Sequence, residues 1–325
     1  MIVIDSSVIV RKKQMNEYLQ DLIGRINDKS DRKIVAGYDS SKTISWKALR
    51  EAEKIKNPEY IDLLVSYIEN EKDKKKRGSA YFILGKIAKN INDLKIGQFL
   101  INRIEKETDK YIIGSLLDRL ADIIKPKDTN LEPLISATKD SKWQIRHSAI
   151  QALSLTENET AEERLIEILK NSNENYDLIY ANSTLGKIGS EKSIPYLQKM
   201  LDNKSQDVSS SALSVLIKIA KEKEINTYRK YLVKGKLKVS AISGVVEYGD
   251  ETDIVMITKR IKELVSRKRS IEIILEKGKT EIIVALEFLK KFKPYKKEYS
   301  KLLDWLLLKK KDKLWETEIN WIEKE

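Results

Sequence analysis

Four basic residues recur at matched places along this chain: Arg77, Arg146, Lys238 and Arg267. Each stands three positions before a small residue: Ala80, Ala149, Ala241 and Ser270. Lys74-Lys75-Lys76, Lys142, Lys234, Lys236, Lys268 and Arg269 lie close by. Read as helix starts, these positions oppose the helix macrodipole, which disfavours a cation there by about 0.3–1 kcal/mol. A residue held against that preference points to an anion. One reading is a basic ladder that tracks an acidic partner or a phosphate backbone.

A second group combines rings with a cation. Trp143, Arg146 and His147 fall within one helical turn or so, a pattern able to stack a nucleobase or another aromatic ligand. Trp46, Lys47 and Arg50 form a similar group. The alternative for both is edge packing with local hydrogen bonds. Tyr176 and Tyr180, four apart, read as packing residues.

Bond-making chemistry finds little to work with. The chain has no cysteine, which excludes disulfides, thiol nucleophiles and thiolate metal sites. It has one histidine, His147, so a zinc site built on several imidazoles is excluded as well. No phosphate-binding glycine loop, nucleophile elbow or H-E-x-x-H helix occurs. No catalytic residue, metal or cofactor is assigned.

The net charge is +12, from 62 Lys and Arg against 50 Asp and Glu, which suits an anionic partner. The charge is uneven: from Lys290 to Lys313 ten lysines face Glu298, Asp304 and Asp312. No apolar stretch approaches the length of a membrane span. The opening residues lack a basic start and a small-residue cleavage site, which argues against a signal peptide. A cytoplasmic protein is expected.

The elements that must position these residues repeat. Leu84-Gly85-Lys86-Ile87 returns as Leu185-Gly186-Lys187-Ile188. A small or apolar anchor recurs at Ala48, Ala80, Leu116, Ala149, Ala181, Ala212, Ala241 and Ser270, with spacings of 32, 36, 33, 32, 31, 29 and 29. Such a period marks stacked helical units that bury their apolar faces on one another. In Tyr180 to Leu201, Ala181, Leu185 and Ile188 share a helical face, Gly189 stops the helix, Ser190 caps the next, and Pro195 lies in its first turn. Other helix pairs are read at 94–104 with 112–124, 131–137 with 143–153, 161–169 with 178–188, and 238–249 aligned with 267–278. Near the start, Ile2-Val3-Ile4 and Val8-Ile9-Val10 read as short extended segments or an apolar plug, before a helix from Met15 to Ile26.

The segments LGKIGSEKSIPYLQKML and DSKWQIRHSAIQAL resemble HEAT repeats, in the variant first described in phycobilin lyases. The resemblance covers about residues 44–292. It implies an all-α, right-handed α-α superhelix of the HEAT and armadillo kind, with about eight helix pairs. It also implies that Arg146, with Asp140 nearby in sequence, bonds the turn Asp of a neighbouring unit rather than a ligand. HEAT arrays serve many functions, so the fold alone fixes none. A HEAT-like family of DNA glycosylases uses aromatic residues and a carboxylate in a basic groove. Trp143 with Asp140, or Trp46 with Asp39, would have to fill those roles, and no catalytic assignment is carried over. The opening IVIDSSVIV resembles the first strand of PIN-domain nucleases, where the Asp is a metal ligand, but the rest of that pattern is absent and Asp5 is given no role.

The chain thus reads as an N-terminal cap over 1–43, a repeat array over 44–292 and a C-terminal cap over 293–325. In that last part Tyr295, Tyr299, Leu302, Leu303 and Leu306 form one apolar stripe, and Trp315, Ile319 and Ile322 another. The expected function is a non-catalytic scaffold that binds a protein partner along its groove. The alternative is a nucleic-acid binder, of which the glycosylase is one case. The candidate binding residues are Arg77, Trp143, Arg146, His147, Lys238 and Arg267.

Overall fold

Turn residues set where the helices begin. Asp73 accepts hydrogen bonds from the amides of Lys75 and Lys76 and so opens α4 (Lys74–Ile91). Asp109 opens α6 (Lys110–Leu120) in the same way, and Asn158 opens α9 (Glu159–Asn171). Each supplies an oxygen to amides that lack a partner within the helix. The computed structural model describes residues 6–32, 39–275, 278–292 and 295–325. Among these it contains α-helices, short 3-10 turns and two isolated bridges, Lys125 with Thr156 and Ile274 with Thr280.

The chain divides into two compact bodies, Met1–Gly189 and Ser190–Glu325. The first also holds α1 (Ser6–Asn27), α2 (Ile44–Ala52), α3 (Tyr60–Asn70), α5 (Ile96–Arg103), α7 (Glu132–Ala137), α8 (Trp143–Ala152) and α10 (Asn175–Ile188). Each odd helix packs on the even helix that follows it, and α4, α6, α8 and α10 stack in order. The second body comprises α11 (Ile194–Met200), α12 (Gln206–Ala220), α13 (Ile225–Val233), α14 (Lys238–Tyr248), α15 (Ile254–Leu264), α16 (Glu281–Lys290), α17 (Lys296–Lys309) and α18 (Glu316–Ile322). There α12, α14, α16 and α18 form the corresponding stack. Each body is therefore all-α and built of paired helices, as the period requires.

Seven of the eight anchors are fully buried on the even helices, from Ala48 in α2 to Ala241 in α14. Small residues there let neighbouring helices approach. Gly85 in the LGKI motif shows how closely: a Cβ at this position would lie 2.8 Å from Cβ of Arg119 in α6. Gly189 ends α10 by sending its amide to the Leu185 carbonyl at 2.7 Å, Ser190 caps the following turn, and Pro195 occupies the start of α11, all as expected.

Three expectations are corrected. Ser270 is not an anchor: it is exposed in an irregular segment between α15 and α16, so 267–278 does not repeat 238–249. The buried alanine of the next even helix is Ala285 in α16. Val8-Ile9-Val10 is helical, because α1 begins at Ser6 rather than near Met15. Ile2-Val3-Ile4 and Asp5 lie outside the described residues.

At the C-terminal end α17 and α18 pack on α16 and on each other. Tyr299, Leu302 and Leu306 of α17 and Ile322 of α18 are buried. Glu318, fully buried, accepts from Arg269, from Thr280 Oγ1 at 2.6 Å and from the Trp315 amide at 2.9 Å. That carboxylate fastens the irregular segment to α18. Among the described residues no helix is long and apolar enough to cross a membrane.

Two glycines give opposite predictions. A Cβ on Gly244 of α14 would meet the buried Tyr228 ring at 2.6 Å, whereas one on Gly114 of α6 would meet nothing within 4 Å. Gly244→Ala should lower stability by about 1–3 kcal/mol through overpacking, despite its better helix propensity. Gly114→Ala should raise stability by up to about 1 kcal/mol. Urea unfolding of the two variants checks both signs.

Candidate functional site

The basic ladder turns inward. Arg77, in the first turn of α4, places Nε and Nη2 on the two oxygens of Glu107 at 2.9 and 2.8 Å. Its Nη1 donates to the carbonyls of Glu71 and Lys72 at 3.0 and 2.9 Å. Arg146, in the first turn of α8, repeats this arrangement. Its Nε lies 2.9 and 2.8 Å from the oxygens of Asp177, and its Nη1 donates to the Asp140 carbonyl at 2.9 Å. Each guanidinium thus ties its own turn to a carboxylate of the next repeat. Asp140, near Arg146 in sequence, contributes its carbonyl, while its carboxylate caps the Lys142 amide. Burial alone would raise the Glu107 carboxyl, but Arg77 and the Tyr81 hydroxyl hold it below the ordinary range.

Lys238 pairs with Glu263 at 2.8 Å. Arg267 lies exposed in the segment after α15. Three of the neighbouring basic residues, Lys74, Lys236 and Arg269, are engaged too. Lys74 pairs with Asp109 at 2.6 Å, and the Lys74 to Arg77 run is the first turn of α4 rather than a loop. Lys236 donates to the Asn203 carbonyl at 2.6 Å, and Arg269 binds Glu318. Arg77, Arg146 and Lys238 are therefore not free cations, because each is held by a carboxylate.

The structure does bring Trp143, Arg146 and His147 together, with partners from the next repeat. The cleft between α8 and α10 has a volume of about 450 Å³ and is lined by these three with Glu174, Tyr176 and Tyr180. Trp143 is 58% exposed and Tyr176 68%. The His147 ring forms the floor, its centroid 5.5 Å from Trp143, 6.1 Å from Tyr176 and 4.7 Å from Tyr180. Its Nε2 lies 2.9 Å from Asp177 Oδ1. Asp177 also accepts from Arg146 and from Ser172 Oγ at 3.2 Å, so one buried carboxylate holds both the clamp and the floor. With Asp177 as acceptor, Nε2 carries the proton of neutral His147. Burial pushes the His147 pKa below 6.5, and the attraction of Asp177 offsets only part of that.

Tyr176 and Tyr180 were expected to be packing residues, and Tyr176 proves to be a wall of the cleft. A signal was present. Trp143 and His147 are four apart, Tyr176 and Tyr180 are four apart, and each pair is offset from the other by 33 residues, close to the local period. Two successive repeats therefore carry rings in the same register. The second aromatic group behaves differently: Arg50 stacks on Trp46 with its guanidinium carbon 5.3 Å from the ring centroid, and Asp39 caps Ser41. Neither Asp39 nor Asp140 stands free beside its tryptophan.

Lys125 is a buried cation that sequence reasoning missed. Only 1% exposed, it donates from Nζ to the carbonyls of Leu120 and Ile123 at 2.7 and 2.8 Å, beyond the end of α6. Burial pushes its pKa down to about 7, and like charge on Lys187 adds to this. Its amide also bonds the Leu155 carbonyl at 2.8 Å, so the residue joins two turns.

Residues 131–217 match the family model described as HEAT repeats. That stretch of the chain, which includes both walls of the cleft, consists of HEAT repeats. No curated protein matches the chain. Among solved structures it is similar to YibA of Escherichia coli, at 15% identity over 90% of this chain and 100% of that one, with a TM-score of 0.49. It is also similar to the complex of CpcE and CpcF of phycocyanin lyase from Nostoc sp. PCC7120, at 16% identity over 84% of this chain and 94% of that one, with a TM-score of 0.34.

His147 is the one histidine, so its titration is directly visible by NMR. Its midpoint should lie below 6.5. The unfolded chain then binds the proton more readily, and stability should fall as pH drops from about 6.5 through the folded midpoint. His147→Gln should remove that part of the pH dependence in thermal melts.

Proposed function

We propose that this protein is a scaffold that binds a protein partner through the α8–α10 cleft of its HEAT repeats. The observation that carries the reading is the pair of exposed rings, Trp143 and Tyr176, on a concave site whose floor and rear are locked by Asp177. Exposed Trp and Tyr side chains beside a preformed pocket are the residue types that dominate protein interfaces. They cost little entropy to fix, because each has two side-chain torsions.

The nucleic-acid reading loses its main support. A phosphate-tracking ladder needs free cations, and Arg77, Arg146 and Lys238 each have a carboxylate within 3 Å. A phosphate would have to displace these internal partners.

Affinity capture from the native host with the wild type and the Trp143→Ala/Tyr176→Ala double variant tests the proposal. The double variant should lose a partner while its melting temperature stays unchanged. Fluorescence anisotropy with single- and double-stranded DNA and RNA at about 50 mM salt should show no saturable binding. Binding with a log–log salt slope of about −3, retained in the double variant, would overturn the scaffold reading.

A further inference from the structure

We propose that the α8–α10 cleft is a receptor for an alkylammonium group, and that its occupant is a lysine side chain presented by a protein partner. The inference deepens the scaffold reading and rests on it. Three observations lead to it: rings on several sides, a carboxylate without an ion-pair partner among the described residues, and the absence of a free cation among the lining residues.

Trp143, Tyr176 and Tyr180 surround the His147 floor, all within about 6 Å of its centroid. Aromatic faces carry negative charge density at their centres, and several rings around one space attract an ammonium group there. The floor adds no positive charge, because His147 is neutral with Nε2 committed to Asp177.

Glu174 stands at the mouth. Its side chain is exposed, makes no capping bond to α10 and has no ion-pair partner among the described residues. Arg146 also lines the cleft, but its charge is neutralised by Asp177 at 2.8 Å. The N-terminus of α10 works against a cation with an effective charge of about +0.5, half of what Glu174 carries. The side chains lining the cleft together with Asp177 therefore carry one net negative charge.

This arrangement discriminates among ligands. A phosphate would meet Glu174 and find Arg146 already bound. A neutral apolar side chain would fill the rings but leave Glu174 without a function. A lysine stem can lie along the rings while its ammonium reaches the carboxylate, and the volume of about 450 Å³ leaves room for N-methyl groups.

The test uses the full chain, labelled with nitrogen-15, and follows the Trp143 indole N–H and the His147 ring by NMR. The probes are Nα-acetyl-lysine methylamide, its Nε-trimethyl form, and the neutral analogue Nα-acetyl-norleucine methylamide. Choline and 7-methylguanosine serve as free cations of other classes. Both lysine compounds should shift the two signals saturably, and norleucine should bind at least about tenfold more weakly. Glu174→Gln should weaken the lysine compounds several-fold, leave norleucine unchanged and leave the melting temperature unchanged. Equal affinity for norleucine and lysine would overturn the proposal. So would tighter binding of choline or 7-methylguanosine than of the trimethyl-lysine compound, which would assign the site to a small cation or a cationic base. If norleucine matches lysine while Trp143→Ala/Tyr176→Ala still loses its partner, this inference fails and the scaffold reading survives.

Discussion

A guanidinium that ties one repeat to the next is the interaction on which the first body depends. Arg77 and Arg146 each bind two groups that the fold would otherwise leave unsatisfied: carbonyls of the turn before their own helix, and a buried carboxylate one repeat further on. A stack of helix pairs contacts only its neighbours, so each junction must satisfy its own polar groups. A planar fork with five donors can reach a carboxylate and two carbonyls at once, which an ammonium on a single stem cannot do with the same geometry. That explains a cation placed near a helix start against the macrodipole. The second body varies the theme: Arg229 with Asp253 and Arg260 with Glu281 are again buried or half-buried pairs.

The clamp also shapes the cleft. By engaging Asp177, Arg146 fixes the carboxylate that orients the imidazole of His147. Trp143, Tyr176 and Tyr180 then have a rigid, neutral base to pack around. Arg77, Arg146 and Lys238, offered to a ligand by the ladder reading, are paired with carboxylates instead, and Glu174, which that reading overlooked, is the exposed charged residue of the cleft lining.

Much of the architecture was legible because burial and helix approach impose a period. The alanine anchors follow from helices that must come close, and Ala48 through Ala241 all lie where the spacing put them. The reading failed at Ser270 because the chain inserts an irregular segment after α15, and a 29-residue alignment of basic and apolar types persists there without helical structure. Partner identities were less legible. Nothing local distinguishes an arginine that seeks a phosphate from one that will meet Glu107 thirty residues away. The cleft was half legible: the Trp143 group stood out, but the second wall becomes visible only when Tyr176 and Tyr180 are placed one period later.

A double-mutant cycle on Arg77 and Glu107 tests this account most directly. Arg77→Met, Glu107→Gln and the double variant would be compared with the wild type by urea unfolding. If the clamp joins adjacent repeats, each single change costs about 3 kcal/mol, and the pair shows a coupling of about 2–3 kcal/mol. Additive effects within about 0.5 kcal/mol would show that the two side chains do not act together, and would contradict the account.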